Sequence, residues 1–237
     1  MSHSRFSASG STRWMNCTAS VFLEEGIEDT PSKYAVEGTL AHTYAEELLF
    51  DTDIDPAQYD NKEMIEGAML YRAHIFDVLK GTNDYRLQLE KRITLAFIDP
   101  ELYGTADCII EDFENKELHV IDFKYGKTKV DPDCDQLKYY AAGAVYKKDI
   151  NKIILTIVQP RLRNKTISKV RSYETTKSQL EMFCKHLHRS VWTIKNEIVE
   201  YKMGSYCFFC KGKTVCPEYQ KKTLEIAKEE FQPITRE

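Results

Sequence analysis

The sequence predicts a mixed α/β protein with one central mixed sheet flanked by helices. Three observations carry this. Residues 35–50 and 61–80 repeat their apolar side chains at helical spacing. Residues 85–97, 103–112 and 117–125 alternate or run apolar as strands do. After residue 133 the order is helix, two strands, helix, which belongs to a sheet with covering helices.

Taken in order, residues 1–10 are polar and Ser-rich. "STRWMNCTASVFLEE" (11–25) reads as a helix with Ser9 or Ser11 as N-cap, and a turn follows at 26–34. In 35–50, Leu40, Ala41, Tyr44, Ala45, Leu48 and Leu49 share a face. An Asp/Pro-rich loop (51–60) precedes the helix at 61–80, which Gly81 stops. "FENKE" turns the second strand into the third. "DCDQLKYYAAGAVYKK" (133–148) starts a helix after Pro132 with acidic residues in its first turn. "KIILTIVQP" (152–160) is apolar enough to be buried on both faces, and 166–175 alternates again. Helices are expected over 176–202 and 217–230. The whole chain, 1–237, is expected to form one domain with its core at about 35–175.

Composition narrows the class. Hydrophobic content of 42% and charged content of 30% suit a globular protein. There is no run of eighteen apolar residues and no apolar N-terminal segment, so a cytoplasmic setting without membrane contact is expected. A net charge of −4 argues against coating nucleic acid non-specifically, yet leaves room for a locally positive cleft. Basic residues bunch at "KYGKTK" (124–129) and "RLRNKTISKVR" (161–171), either as a binding surface or as a solvated edge. Seven cysteines, an odd number, do not suggest a disulfide framework; Cys108, Cys134 and Cys184 read as buried small hydrophobes.

The chemistry-bearing stretch is "GTADCIIEDFENKELHVIDFKYGK" (104–127). Alternation puts Asp122 and Lys124 on one face. A hairpin centred between Glu114 and Asn115 sets Asp107 opposite Asp122. Two carboxylates so close need a positive partner. Oxygen ligands of this kind suit Mg²⁺ or Mn²⁺, and a lysine beside such an ion suits phosphodiester hydrolysis. A plain salt bridge between Lys124 and an aspartate is the alternative. His42 sits on the 35–50 helix near Glu37 and Glu46, with Gly38 allowing close approach. Gln136 and Tyr140 lie four apart on one helix face.

Together, His42, GTAD with Asp107, IDFK with Asp122 and Lys124, and QLKYY with Gln136 and Tyr140 resemble the PD-(D/E)XK nuclease superfamily in its RecB-like branch. A phage-encoded subgroup is the closest likeness, given "RWMNCTAS", "IVQPR" and "YCFFCKGKTVC". Ala106 replaces the proline of the superfamily name. The resemblance implies a restriction-endonuclease-like core. It implies metal binding by His42, Asp107, Asp122 and the Phe123 backbone carbonyl, with catalysis by Asp107, Asp122 and Lys124. Gln136 and Tyr140 would shape the site and contact the DNA backbone.

Cys207, Cys210 and Cys216 form a close set, and Cys17 in "RWMNC" is the candidate fourth ligand. Spacing leaves a Zn²⁺ site and an iron–sulfur site open; the resemblance implies a [4Fe–4S] cluster joining segments 11–25 and 203–220. Such a staple would close a loop of nearly the whole chain, worth on the order of several kcal/mol by analogy with a disulfide. Phe208 and Phe209 would shield it or belong to local core. The expected function is a metal-dependent DNA exonuclease of phage replication, recombination or repair, acting on single- or double-stranded DNA in a bacterial host cytoplasm. A phage single-strand-binding or recombination protein would be its partner. The rivals are an inactive nuclease-fold assembly module and a zinc-stabilised small-molecule phosphohydrolase.

Overall fold

A computed structural model describes residues 5–28, 32–50 and 61–230. The order is α1 (Ser11–Asn16), α2 (Ala19–Glu24), α3 (Lys33–Phe50), α4 (Lys62–Leu79), β1 (Tyr85–Thr94), β2 (Tyr103–Asp112) and β3 (Glu117–Phe123). Then come α5 (Asp135–Val145), β4 (Lys152–Val158), β5 (Val170–Thr175), α6 (Lys177–Lys195) and α7 (Pro217–Glu230). The expected 51–60 loop lies outside the described residues.

The five strands form one mixed sheet in sequence order. β1/β2, β2/β3 and β4/β5 are antiparallel, and β3/β4 are parallel. The parallel pair requires a crossover, which α5 supplies. β4 is buried on both faces, as its continuous apolar run predicts. On one face Leu118, Val120, Leu155 and Ile157 pack with residues of α1, α5 and α6. On the other, Cys108, Ile110, Ile121 and Phe123 pack with α3 and α4. The core reaches past residues 35–175, taking in Phe6, Trp14 and Met15 at one end and Leu180, Leu187 and Ile194 at the other.

Local chemistry fixes the element ends. Asn61 caps α4 by accepting from Met64 N–H at 3.1 Å. Thr176 and Gln179 form a capping box on α6. The β2–β3 turn is held by Asp112, whose Oδ1 accepts from Thr82 Oγ1 and Asn115 N–H and whose Oδ2 accepts from Asn115 Nδ2.

Several boundaries differ from expectation. The 11–25 helix is broken at Cys17, which is extended, because Thr18 bonds Ile198 O and Glu200 N–H on a returning strand of chain. Gly10, not Ser9 or Ser11, occupies the N-cap; Ser11 donates instead to Ala8 O. β1 ends at Thr94; Leu95 N–H still bonds Leu102 O in register, and the chain then turns, with Ile98 N–H and Asp99 N–H donating to Leu95 O. α6 ends at Lys195, where Glu197 takes a left-handed φ of 57°. Among the described residues no helix is long and apolar enough to cross a membrane.

Candidate functional site

The β2–β3 ladder runs from Asp112↔Glu117 to Cys108↔Ile121. One further step of that register sets Asp107 opposite Asp122. There the backbone pattern changes, and Phe123 N–H donates to Asp107 Oδ2 at 2.7 Å. The ladder's end thus fixes the first carboxylate beside the second strand's last residues.

Two groups of side chains meet at this end. The first is His42 from α3, Glu90 from β1 and Asp107 from β2, whose ligand atoms lie within 4.8 Å of one another. His42 Nδ1 is 3.6 Å from Asp107 Oδ2, and the imidazole packs edge-on to Phe123, with centroids 5.4 Å apart. A cavity of about 10 Å³, room for roughly one water-sized sphere, is lined by His42, Glu46, Tyr71, Glu90 and Asp107 among others. The donor set of imidazole and carboxylates fits a hard divalent cation such as Mg²⁺ or Mn²⁺.

The second group is a partly buried network. Lys124 Nζ lies 3.0 Å from Asp122 Oδ2 and donates to Gln136 Oε1 at 2.9 Å. Gln136 Nε2 donates to Asp122 Oδ1 and to Tyr140 Oη. β3 supplies Asp122 and the chain just beyond it supplies Lys124, whose N–H bonds Val158 O. One face of α5 supplies Gln136 and Tyr140, four residues apart. Gly104 on β2 lets Tyr140 in: a Cβ there would stand 3.1 Å from Tyr140 Cε1.

Burial and charge crowding shift the ionisation of these groups. Burial, then the charge of Asp107, pushes Asp122 up to about 6 although Lys124 pulls the other way. Desolvation, then Asp107, pushes Glu90 up to about 7. Burial alone would lower Lys124, but Asp122 and Asp107 outweigh it and hold its ammonium protonated, above the usual lysine range. Carboxylates held this high form a site that gains from a cation.

All of the expected side chains His42, Asp107, Asp122, Lys124, Gln136 and Tyr140 come to this one end of the sheet. Asp122 stands outside the tight group of three ligand atoms, and Glu90 stands in it instead. Glu90 was missed because β1 reads as a run of alternating charged and apolar residues that marks none of them. Gly38 does not act as expected, since a Cβ there would meet nothing within 4 Å. Glu37 is drawn away to Arg161, whose guanidinium also meets Glu63 and lies 4.6 Å from the Tyr125 ring centroid. Gln159 was also missed. Fully buried, it donates to Gly126 O and Thr128 O and accepts from Val130 N–H and Arg171 Nη2. It thereby pins the loop that leads from Lys124 towards α5.

The four expected cluster cysteines sit in segments near the two ends of the chain. Cys17 closes α1, while Cys207, Cys210 and Cys216 sit in and after two 3₁₀ turns, Ser205–Phe209 and Lys211–Thr214. Lys211 N–H donates to Glu24 Oε1, and Arg13 bridges Glu24 and Phe209 O. Burial, then Cys17 and Cys207, pushes the Tyr206 hydroxyl up to about 12. Four free thiols, three of them buried, fit a four-thiolate metal group in kind and number. A single tetrahedral zinc needs sulfurs about 3.8 Å apart; among the described residues no three cysteines come within 4.8 Å of one another. Burial, then Glu24, pushes the Cys210 thiol up to about 11, a state that a bound metal would reverse. Phe208 and Phe209 are not local core: they are 71% and 64% exposed. Cys108 is buried as expected, whereas Cys134 and Cys184 are only partly so.

A family model described as "Protein of unknown function (DUF2800)" matches residues 3–236. Among solved structures, SSO0001 is similar at 15% identity, covering 92% of this chain and 88% of that one, with a TM-score of 0.39. A phage-related exonuclease from Haemophilus somnus 129PT matches at 15% identity over 74% of this chain and 92% of its own, with a TM-score of 0.33. An alkaline exonuclease from Laribacter hongkongensis matches at 14% identity over 90% and 95%, with a TM-score of 0.37.

Proposed function

We propose that this chain, which belongs to the DUF2800 family, is a divalent-metal-dependent deoxyribonuclease that hydrolyses phosphodiester bonds in linear DNA. The observation that carries the reading is the meeting of His42, Glu90 and Asp107 with the Asp122–Lys124–Gln136–Tyr140 network at one end of the sheet. One group is suited to a cation and the other presents a protonated lysine, and metal-assisted hydrolysis of a phosphodiester can use both.

His42, Glu90 and Asp107 would hold Mg²⁺ or Mn²⁺, with Asp122 and the Phe123 carbonyl completing the shell as the resemblance implies. When bound, the ion would polarise the phosphate and lower the pKa of a water. The chain's own residues do the rest. Lys124, kept cationic by Asp122 and Asp107, stabilises negative charge growing on the phosphorus oxygens rather than removing a proton. Gln136 fixes the Lys124 ammonium and the Asp122 carboxylate at once, so neither has to reorganise during reaction. Tyr140, whose hydroxyl accepts from Gln136, remains a neutral phenol, since burial raises its pKa, and offers its O–H to the strand.

We further propose that Cys17, Cys207, Cys210 and Cys216 hold an iron–sulfur cluster in a structural role. The setting proposed is phage replication or recombination in a bacterial cytoplasm, with exonuclease action on free ends. The test is digestion of end-labelled linear DNA against a closed circle, with Mn²⁺ and with EDTA. Loss of label from the linear DNA in Mn²⁺ alone, with the circle intact, is expected. No cleavage of either would favour a non-catalytic assembly module.

A further inference from the structure

Beyond the metal-facing groups, the described chain has a second charged concavity. A groove of about 520 Å³ is lined by Lys127, Arg161, Arg163, Lys165 and Lys169 over a floor of Pro160 and Leu162. Glu63 is its acidic member, and Glu63 and Glu37 together neutralise Arg161. Lys127, Arg163, Lys165 and Lys169 are exposed and have no carboxylate partner among the described residues. Four cations on one concave wall repel one another unless an anion sits between them. In a chain of net charge −4 such a concentration is not a consequence of composition.

The groove is built rather than frayed. Its Lys127 wall is the loop that Gln159 holds through Gly126 O and Thr128 O. Its Lys169 wall is tied to the same residue, since Gln159 N–H donates to Lys169 O at 2.7 Å. Arg171 locks both walls, donating to Val130 O, Gln159 Oε1 and Ser168 O. Arg161 fastens the floor to α3 and α4 and stacks on Tyr125. The buried Gln159 therefore sets the spacing of cations that are themselves at the surface. A merely solvated basic edge has no need of such a spacer.

The groove adjoins the reacting end along the chain: Lys127 is three residues beyond Lys124, so their Cα atoms are within about 11 Å. We propose that this groove binds the sugar-phosphate backbone of the nucleic-acid strand next to the scissile bond, with Lys127, Arg163, Lys165 and Lys169 as its phosphate contacts. The inference rests on the nuclease reading for its substrate class, but not for its charge or its geometry.

The test measures binding without cleavage. Full-length protein and a fluorescent single-stranded 20-mer are titrated in EDTA at several salt concentrations. Wild type is compared with Lys127→Gln/Arg163→Gln/Lys165→Gln/Lys169→Gln, and with Lys147→Gln/Lys185→Gln on the α5–α6 side. The slope of log affinity against log salt should fall by ~0.7 for each lost contact, about 3 for the fourfold variant. The α5–α6 variant should keep the wild-type slope. Mn²⁺-dependent hydrolysis of bis(p-nitrophenyl) phosphate, too small to reach the groove, should be unchanged in the fourfold variant. An unchanged slope in the fourfold variant, a loss confined to the α5–α6 variant, or no DNA binding by wild type overturns the groove. A wild type that binds DNA with the expected slope yet hydrolyses neither DNA nor the small ester overturns the nuclease reading and leaves the groove standing.

Discussion

Glu90 and Asp107 face each other across β1 and β2 at the one rung where the two strands do not pair. The ladder runs from Leu89↔Cys108 directly to Lys91↔Ala106, and Glu90 takes a φ of 45° between them. A left-handed glutamate is costly, of order 1 kcal/mol or more. It is retained where its carboxylate joins His42 and Asp107 in one group.

Glu90→Gln keeps the shape and removes the charge. It should weaken Mn²⁺ binding at least about tenfold while leaving the melting temperature of the metal-free protein unchanged or raised, since a crowded carboxylate is gone. Calorimetric titration with Mn²⁺ reads this; equal affinity in both proteins would remove Glu90 from the ligand set.

Gln159→Leu leaves Gly126 O, Thr128 O, Val130 N–H and Arg171 without their shared partner. The cost should be about 2–4 kcal/mol by denaturant unfolding. DNA cleavage should drop as well, because the loop that follows Lys124 loses its anchor. Full activity in a destabilised variant would separate the loop from the site.

Asp112 carries a pH signature. Burial opposes its ionisation, but hydrogen bonds from Asn115 and Thr82 win and hold it below the usual carboxylate range. A depressed pKa contributes stability above the unfolded value, near 4, that is lost as pH falls through the folded one. Asp112→Asn should therefore cost about 1–2 kcal/mol at pH 7, with the gap between variant and wild type closing below about pH 4. A gap independent of pH would assign the loss to packing.

At the chain ends, protein prepared without oxygen should contain iron and acid-labile sulfide in equal amounts and absorb visible light. Cys17→Ser should lose that signal and several kcal/mol of stability, on the order expected for releasing a long closed loop. Stoichiometric zinc with no sulfide would replace the cluster with a single-ion site.

Much of this architecture could be read from local pattern. The hairpin register followed from alternation and the "FENKE" turn, because a half-buried ladder admits no slip without moving every side chain to the wrong face. Asp107, Asp122 and Lys124 were visible as charges interrupting apolar strands. Glu90 was not, because a missing rung depends on the neighbouring strand and leaves no trace in β1 alone. Gln159 was not, because its partners lie some 30 residues away along the chain or on the next strand. The break at Cys17 was hidden for a similar reason: the segment 198–200 that causes it arrives from the other end of the sequence.

The central claim is that Asp122, buried beside Lys124, is needed for hydrolysis and not for folding. Asp122→Asn should be assayed on linear DNA with Mn²⁺, alongside its melting curve. The account predicts a fall in cleavage of about 10³-fold or more in a variant that still unfolds cooperatively, with a lowered melting temperature because Lys124 loses the carboxylate it pairs with. Cleavage at the wild-type rate by the folded variant would contradict it.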